Sequence, residues 1–244
     1  MAFDLDGTLA ESKAPLDDEV AGLLATLLSF AQVAVISGGD WPQFKKQVVD
    51  RLPPGAELGR LWILPTAGAK LFRFAGEWRQ AYSEAITPAE KAHILKELDR
   101  AIKAAGLDRD PAWGPRIEDR GTQITYSGIG QKAPLEAKEA WDPDRRKRLQ
   151  LQEMLRRTLT EWSVNIGGTT SIDITRAGID KGFGLRKLAA ESGVPLEDMV
   201  FLGDSIFPGG NDYPAVTVGV DAVAVRDVPE TKTILHALTL WLGR

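Results

Sequence analysis

The chain has 244 residues, 43% of them hydrophobic and 26% charged, enough for a substantial core and for one domain carrying a large insertion. A formal charge of −4 supplies no general basic field, which argues against nucleic acid as a partner. With no cysteine there are no disulfides, thiolate metal sites or cysteine nucleophiles, and the two histidines, His93 and His236, stand far from any motif.

Met1 to Leu5 reads as a strand end running straight into Asp4-Leu5-Asp6-Gly7, with no signal peptide visible. Pro15 to Phe30 has the period of an amphipathic helix, and Gln32 to Ile36 that of a buried strand stopped by Ser37-Gly38-Gly39. A helix from about Pro42 to Leu52 and a strand at Leu61 to Pro65 follow. Strand and helix alternating across short polar joints predict an α/β fold, a doubly wound parallel sheet covered on both faces.

The pattern breaks near Tyr82. Lys70 to Trp78 reads as a hairpin turning at Ala75-Gly76, and Thr87-Pro88-Ala89-Glu90 carries the cap, proline and glutamate of a helix start. That helix runs to Gly106. Arg116 to Tyr126 alternates like sheet, Asp142 to Trp162 reads as a charged helix, and Val164 to Thr175 as strand. This middle block predicts a separate α+β unit. Beyond Gly178 come a helix over Lys181 to Ser192, a strand over Met199 to Gly203, two short strands within Ala215 to Val225, and a helix over Thr231 to Leu242. The longest apolar stretches are strand-sized, so a soluble cytoplasmic protein without membrane partners is expected.

Four sets of residues carry chemistry. Asp4 and Asp6 end the first strand ahead of Gly7, where two carboxylates can converge on one hard cation, one presenting an oxygen to phosphorus and the other moving protons. Ser37, Gly38 and Gly39 offer a hydroxyl and close backbone approach to an anion. Lys181 stands at a helix start, where a cation opposes the macrodipole unless an anion is beside it. Asp204 follows a strand and is a natural further ligand for Mg²⁺, and Asp212, which also reads as a helix cap, is another candidate ligand.

In this order and with these residue types the sequence resembles the haloacid dehalogenase superfamily. The resemblance implies Asp4 as nucleophile, Asp6 as general acid and base, Ser37 and Lys181 as phosphate ligands, and Asp204 as a metal ligand. The run Pro208-Gly209-Gly210-Asn211-Asp212, the block Arg120 to Gly130, and Ser171-Ile172-Asp173 ahead of Gly178-Ile179-Asp180-Lys181 look like the eukaryotic-type phosphomannomutases and their prokaryotic relatives. That likeness implies a catalytic core over 1–82 and 177–244 and a cap over 83–176 that closes over the site. It also implies a sugar read by Arg120, Lys138, Ser171 and Asp173, and leaves a homodimer through the cap open.

By the same alignment the family's substrate-clamping arginines fall on Lys13, Arg120, Gln131 and Lys138. Only one remains arginine, and lysine lacks the bidentate grip of a guanidinium. A mutase must hold a second phosphate, so the expectation is a Mg²⁺-dependent sugar-phosphate phosphatase working through an aspartyl-phosphate, with the mutase as the alternative. A non-enzymatic receiver-type switch is the remote third reading, since receivers are about half this length and lack the inserted block.

Overall fold

A computed structural model describes residues 1–167 and 169–243. The chain divides into two compact units, Met1–Ser83 with Ile179–Arg244, and Glu84–Gly178. The first part of the first unit holds β1 (Ala2–Phe3), α1 (Asp18–Leu28), β2 (Val33–Ile36), α2 (Trp41–Gln47), β3 (Leu61–Leu64), β4 (Lys70–Phe74) and β5 (Trp78–Ser83). The second unit holds α3 (Pro88–Ala104), β6 (Ile117–Asp119), β7 (Gln123–Ser127), α4 (Leu135–Trp141), α5 (Arg146–Thr158), β8 (Trp162–Gly167) and β9 (Ser171–Arg176). The first unit closes with α6 (Lys181–Ser192), β10 (Val200–Gly203), α7 (Tyr213–Thr217), β11 (Asp221–Ala224) and α8 (Val228–Leu242).

One strand shows how the first unit is layered. β2 is Val-Ala-Val-Ile, buried throughout. Val33 and Val35 join a cluster with Leu27 of α1, Phe44 of α2 and Leu235 of α8, while Ala34 and Ile36 join Leu185 and Leu188 of α6. Strand side chains alternate between faces, so a continuous apolar run is what a sheet covered on both sides requires. Each fully buried aliphatic side chain contributes roughly 1.5–3 kcal/mol. The sheet order is β11-β10-β1-β2-β3-β4-β5, parallel from β11 to β3. β1 therefore lies between β10 and β2, where the winding reverses, and the crevice beyond its carboxyl end is where such sheets bind ligands.

The hairpin read at Lys70 to Trp78 is longer than that range. β4 and β5 pair with each other and β4 pairs with β3, adding an antiparallel edge to the sheet. Trp41 of α2 stacks on Phe72 with ring centroids 4.2 Å apart. Between β3 and β4 the backbone of Thr66, Ala67 and Gly68 is left-handed at φ of 51°, 56° and 88°, a costly path for the first two residues. The reason lies in the neighbouring helix. A Cβ on Gly68 would stand 2.4 Å from the Cα of Gly184 in α6, so turn and helix meet backbone to backbone.

The second unit is a four-stranded antiparallel sheet in the order β6-β7-β9-β8. Ile124 and Tyr126 of β7 and Ile172 and Ile174 of β9 pack with Ile94 and Leu98 of α3 and Leu151 and Leu155 of α5. At the start of α3, Glu90 Oε2 accepts from the Thr87 amide at 2.8 Å and Thr87 Oγ1 accepts from the Glu90 amide at 3.3 Å, the reciprocal cap anticipated from the sequence.

Several boundaries differ from the sequence reading. The alternation from Arg116 to Tyr126 hides a turn at Arg120-Gly121 that separates β6 from β7. The strand read over Val164 to Thr175 is the hairpin β8–β9. The helix read from Asp142 begins later, at Arg146. The Asp142 carboxylate accepts from the amides of Lys147 at 3.0 Å and Arg148 at 3.1 Å, capping α5, while Pro143 prevents α4 from continuing. Only one strand, β11, forms within Ala215 to Val225, because Tyr213–Thr217 coils into α7 behind Pro214. Among the described residues no helix is long and apolar enough to cross a membrane.

Candidate active site

β1 is two residues long, and Asp4 follows it directly with its amide held by Leu202 O of β10 at 2.9 Å. The side chain is 3% exposed. Its Oδ2 accepts from Thr8 Oγ1 at 3.3 Å, and its Oδ1 accepts from the Lys181 ammonium. Lys181 opens α6, whose N-cap is Asp180, and it donates as well to Oδ1 of Asp212. The anions expected beside a cation at this helix start are thus two of the protein's own carboxylates.

Burial pushes the Asp4 carboxyl up to about 6 against the pull of Lys181, and the neighbouring Asp212 and Asp204 add to the rise. For Lys181 burial acts downward, but Asp4 and Asp212 more than offset it and the ammonium ends above its ordinary value. The cation is therefore charged at neutral pH, and Asp4 is poised to ionise near the working range of an enzyme.

Asp204 follows β10, partly exposed, and its carboxyl is likewise raised, first by desolvation and then by Asp212. Asp212 is fully buried. It occupies the N-cap position of α7 without capping it. Its carboxylate turns inward instead, accepting from Lys181 and from the Ser205 amide at 3.0 Å, so the helix-cap reading is corrected. Gly203 makes room, since a Cβ there would lie 2.5 Å from Asp212 Oδ2.

Oxygens of Asp4, Asp204 and Asp212 lie within 4.8 Å of one another, a set of hard donors that suits a divalent cation. Gly7 fits the same purpose: its φ is 88°, and a Cβ would come within 2.9 Å of Asp204 Oδ2. Asp6 stands outside this group. Its Oδ2 accepts from Ser37 Oγ at 3.2 Å and its Oδ1 from the backbone amide of Lys13 at 2.7 Å.

Lys13, expected as a side-chain cation, is exposed, with φ of 61°, and meets the site through its amide. Ser37 is buried at the end of β2; Gly38 is exposed, and Gly39 is buried against Gln43, where a Cβ would be 2.7 Å away. Thr8 and Ser205, whose hydroxyl donates to Asp204 Oδ2 at 3.3 Å, were not singled out from sequence. Each lies inside a motif, beside the acid it serves.

The remaining candidates belong to the second unit. Arg120 Nη2 donates to Glu118 Oε2 at 2.8 Å, and Lys138 Nζ reaches the Gln131 carbonyl at 3.4 Å. The Gln131 Nε2 atom is buried without a hydrogen-bond partner. Ser171 and Asp173 lie on β9, the latter accepting from Thr125 Oγ1 at 2.7 Å. Burial raises the Asp173 carboxyl above its ordinary value, against the opposing effects of Thr125 and Arg120.

The sequence family described as eukaryotic phosphomannomutase matches residues 80–236. A phosphomannomutase of Encephalitozoon cuniculi is 27% identical over 218 residues, covering 86% of this chain and 81% of its own. Phosphomannomutase 1 of Homo sapiens is 27% identical over 239 residues, covering 92% and 87%. Among solved structures, the IMP-nucleotidase of Plasmodium falciparum superposes with a TM-score of 0.73 at 14% identity, over 99% of this chain and 68% of the other, a likeness of fold.

Proposed function

The chain belongs to the eukaryotic phosphomannomutase family, and from that premise we propose that it moves a phosphoryl group between the 1- and 6-positions of a hexose phosphate through Asp4. Family membership reverses the preference reached from sequence, which put hydrolysis first. The observation that carries the reading is a buried carboxylate at the switch point of the sheet, bonded to a charged lysine and flanked by two more acids.

In the first half-reaction an Asp4 oxygen bonds to phosphorus while the ester oxygen departs and takes a proton from Asp6. In the second, the free 1- or 6-hydroxyl of a hexose monophosphate attacks the phosphorus of the aspartyl-phosphate, gives its proton to Asp6 and frees Asp4, leaving the bisphosphate from which the other phosphate returns to Asp4. Lys181 offsets charge on the phosphoryl oxygens, and Ser37, Gly38 and Gly39 orient them. A magnesium ion held by Asp4, Asp204 and Asp212 would supply further positive charge to those oxygens. In the second unit Arg120, Gln131, Lys138, Ser171 and Asp173 are the proposed contacts to substrate.

Magnesium should also register without turnover. Saturating a site at a hundred times its dissociation constant stabilises by about 2.7 kcal/mol, or roughly 5–10 °C in melting temperature for a chain of this size. Metal-free protein is expected to gain that much on adding Mg²⁺ and to lose it to a chelator. Identical melts with and without the ion would remove the proposed metal site.

One observation favours hydrolysis as a second reading. Gln131 and Lys138 stand where the family resemblance implies arginines, and neither offers a guanidinium fork. A charge-assisted bond to phosphate contributes about 1.5–3 kcal/mol, so a distal phosphate would be held weakly. The deciding assay follows isomer and inorganic phosphate together, with hexose 1,6-bisphosphate supplied. Isomer forming faster than phosphate is the expected result, and the reverse overturns the mutase reading. Gln131→Arg should tighten bisphosphate binding about tenfold and move the partition further toward isomer.

A further inference from the structure

The sheet of the second unit carries a chain of hydrogen bonds that the roles above leave unused. Gln123 Nε2 donates to Thr125 Oγ1 at 2.9 Å, and Thr125 Oγ1 donates to Asp173 Oδ1 at 2.7 Å. Thr125 and Asp173 are direct partners across β7 and β9, and Gln123 is two residues along the same strand, on the same face. Gln123 and Thr125 are each 2% exposed, so water does not replace either partner.

The chain has a direction. A hydroxyl has one proton, and committing it to the Asp173 carboxylate leaves Thr125 only lone pairs, which the amide nitrogen of Gln123 fills. One oxygen of Asp173 is thereby fixed. The other, Oδ2, faces the position where a Cβ on Gly167 would come within 2.5 Å, and the glycine keeps that space clear of a side chain. Arg120 and Glu118 act on the same carboxylate electrostatically, and Gln123 also reaches it directly by a side-chain hydrogen bond. Desolvating an acid is costly, and apolar residues of similar volume serve a core better, so a buried polar chain of this kind points to orientation rather than stability.

We propose that Thr125, with Gln123 behind it, is a positioning residue that sets the plane of the Asp173 carboxylate and presents Oδ2 to a hydroxyl of the sugar. The inference rests on the reading that Asp173 contacts the sugar, and it identifies what gives that contact its geometry. It follows that the relay governs affinity for the sugar and leaves the phosphoryl-transfer step nearly untouched.

Steady-state kinetics with mannose 1-phosphate test it on the full chain. Thr125→Val should raise KM about tenfold, the value of one net hydrogen bond, with kcat within about twofold. Thr125→Ser, which keeps the hydroxyl, should restore KM to within about twofold of wild type. Gln123→Met, which keeps the volume, should raise KM by a smaller factor, and it decides the matter should Thr125→Val fail to fold. An unchanged KM in Gln123→Met and Thr125→Val, or a loss confined to kcat, overturns the relay. Asp173→Ala separates the two levels: if it raises KM while the Thr125 and Gln123 variants do not, only the relay fails, and if it leaves KM unchanged, the sugar contact itself is wrong.

Discussion

Asp4→Asn is expected to lower turnover by about four orders of magnitude or more while the protein stays folded. Removing a catalytic nucleophile costs on that scale, because positioning and electrostatics alone recover only part of the rate. An amide is isosteric with the carboxylate: its oxygen can still accept from Lys181 while its NH2 donates to the Thr8 hydroxyl oxygen, and Lys181 keeps Asp212 as its counterion. Stability should move in the variant's favour as pH rises. The Asp4 carboxyl is raised to about 6 in the folded protein, so the folded state holds its proton more tightly than the unfolded chain does. Its contribution is fully present below the ordinary carboxylate value and is lost as pH climbs through about 6. Melting curves in chelator from pH 4 to 7 should therefore show wild type losing ground to Asp4→Asn over that interval. Turnover within about tenfold of wild type would remove Asp4 from the mechanism.

Lys181→Met should be the more damaging change to the fold. The methionine keeps most of the apolar stem but removes the cation that Asp4 and Asp212 share, leaving two carboxylates at 3% and 0% exposure facing each other. Deleting one member of a buried ion pair costs about 3–5 kcal/mol, which for a chain of this length lowers the melting temperature by roughly 6–20 °C. The deficit should shrink in acid, where Asp4, whose carboxyl burial already raises, takes up a proton and the repulsion ceases. Activity should fall at least about a hundredfold, since the same ammonium is proposed to meet the phosphoryl oxygens. A variant that melts with wild type at neutral pH would show that the three-membered ion cluster does not hold this edge of the sheet.

What could be read from sequence followed from how locally each feature is encoded. Asp4, Ser37 and Asp204 each come directly after a short apolar run, so the end of the strand announces the position of the side chain. The reciprocal cap at Thr87 and the start of α6 at Lys181 are equally local, and both were legible. The pairing of Lys181 with Asp4 spans 177 residues, and no window along the chain contains it. Asp212 left two readings open for a related reason: a carboxylate ahead of Tyr-Pro serves as a metal ligand or as a helix cap, and only the tertiary fold, which turns it inward beside Asp4 and Asp204, separates them. In the second unit the two strand errors share one cause. Alternation continues through tight turns, so β6 with β7, and β8 with β9, each read as a single strand. Lys13 shows the converse, a residue whose place at the site was legible but whose working atom, its amide, was not.

The meeting of Gly68 and Gly184 bears on which substitutions this protein tolerates. A Cβ on Gly68 would stand 2.4 Å from the Gly184 Cα, and one on Gly184 would stand 3.0 Å from the Gly68 Cα, so a methyl group at either position requires turn and helix to move apart. Gly184 lies three residues beyond Lys181, on the first turn of the same helix, so any separation that admitted a methyl group would carry the ammonium with it. Alanine at either position is therefore expected to disturb the phosphate site at a distance, through the start of α6 rather than through the turn itself.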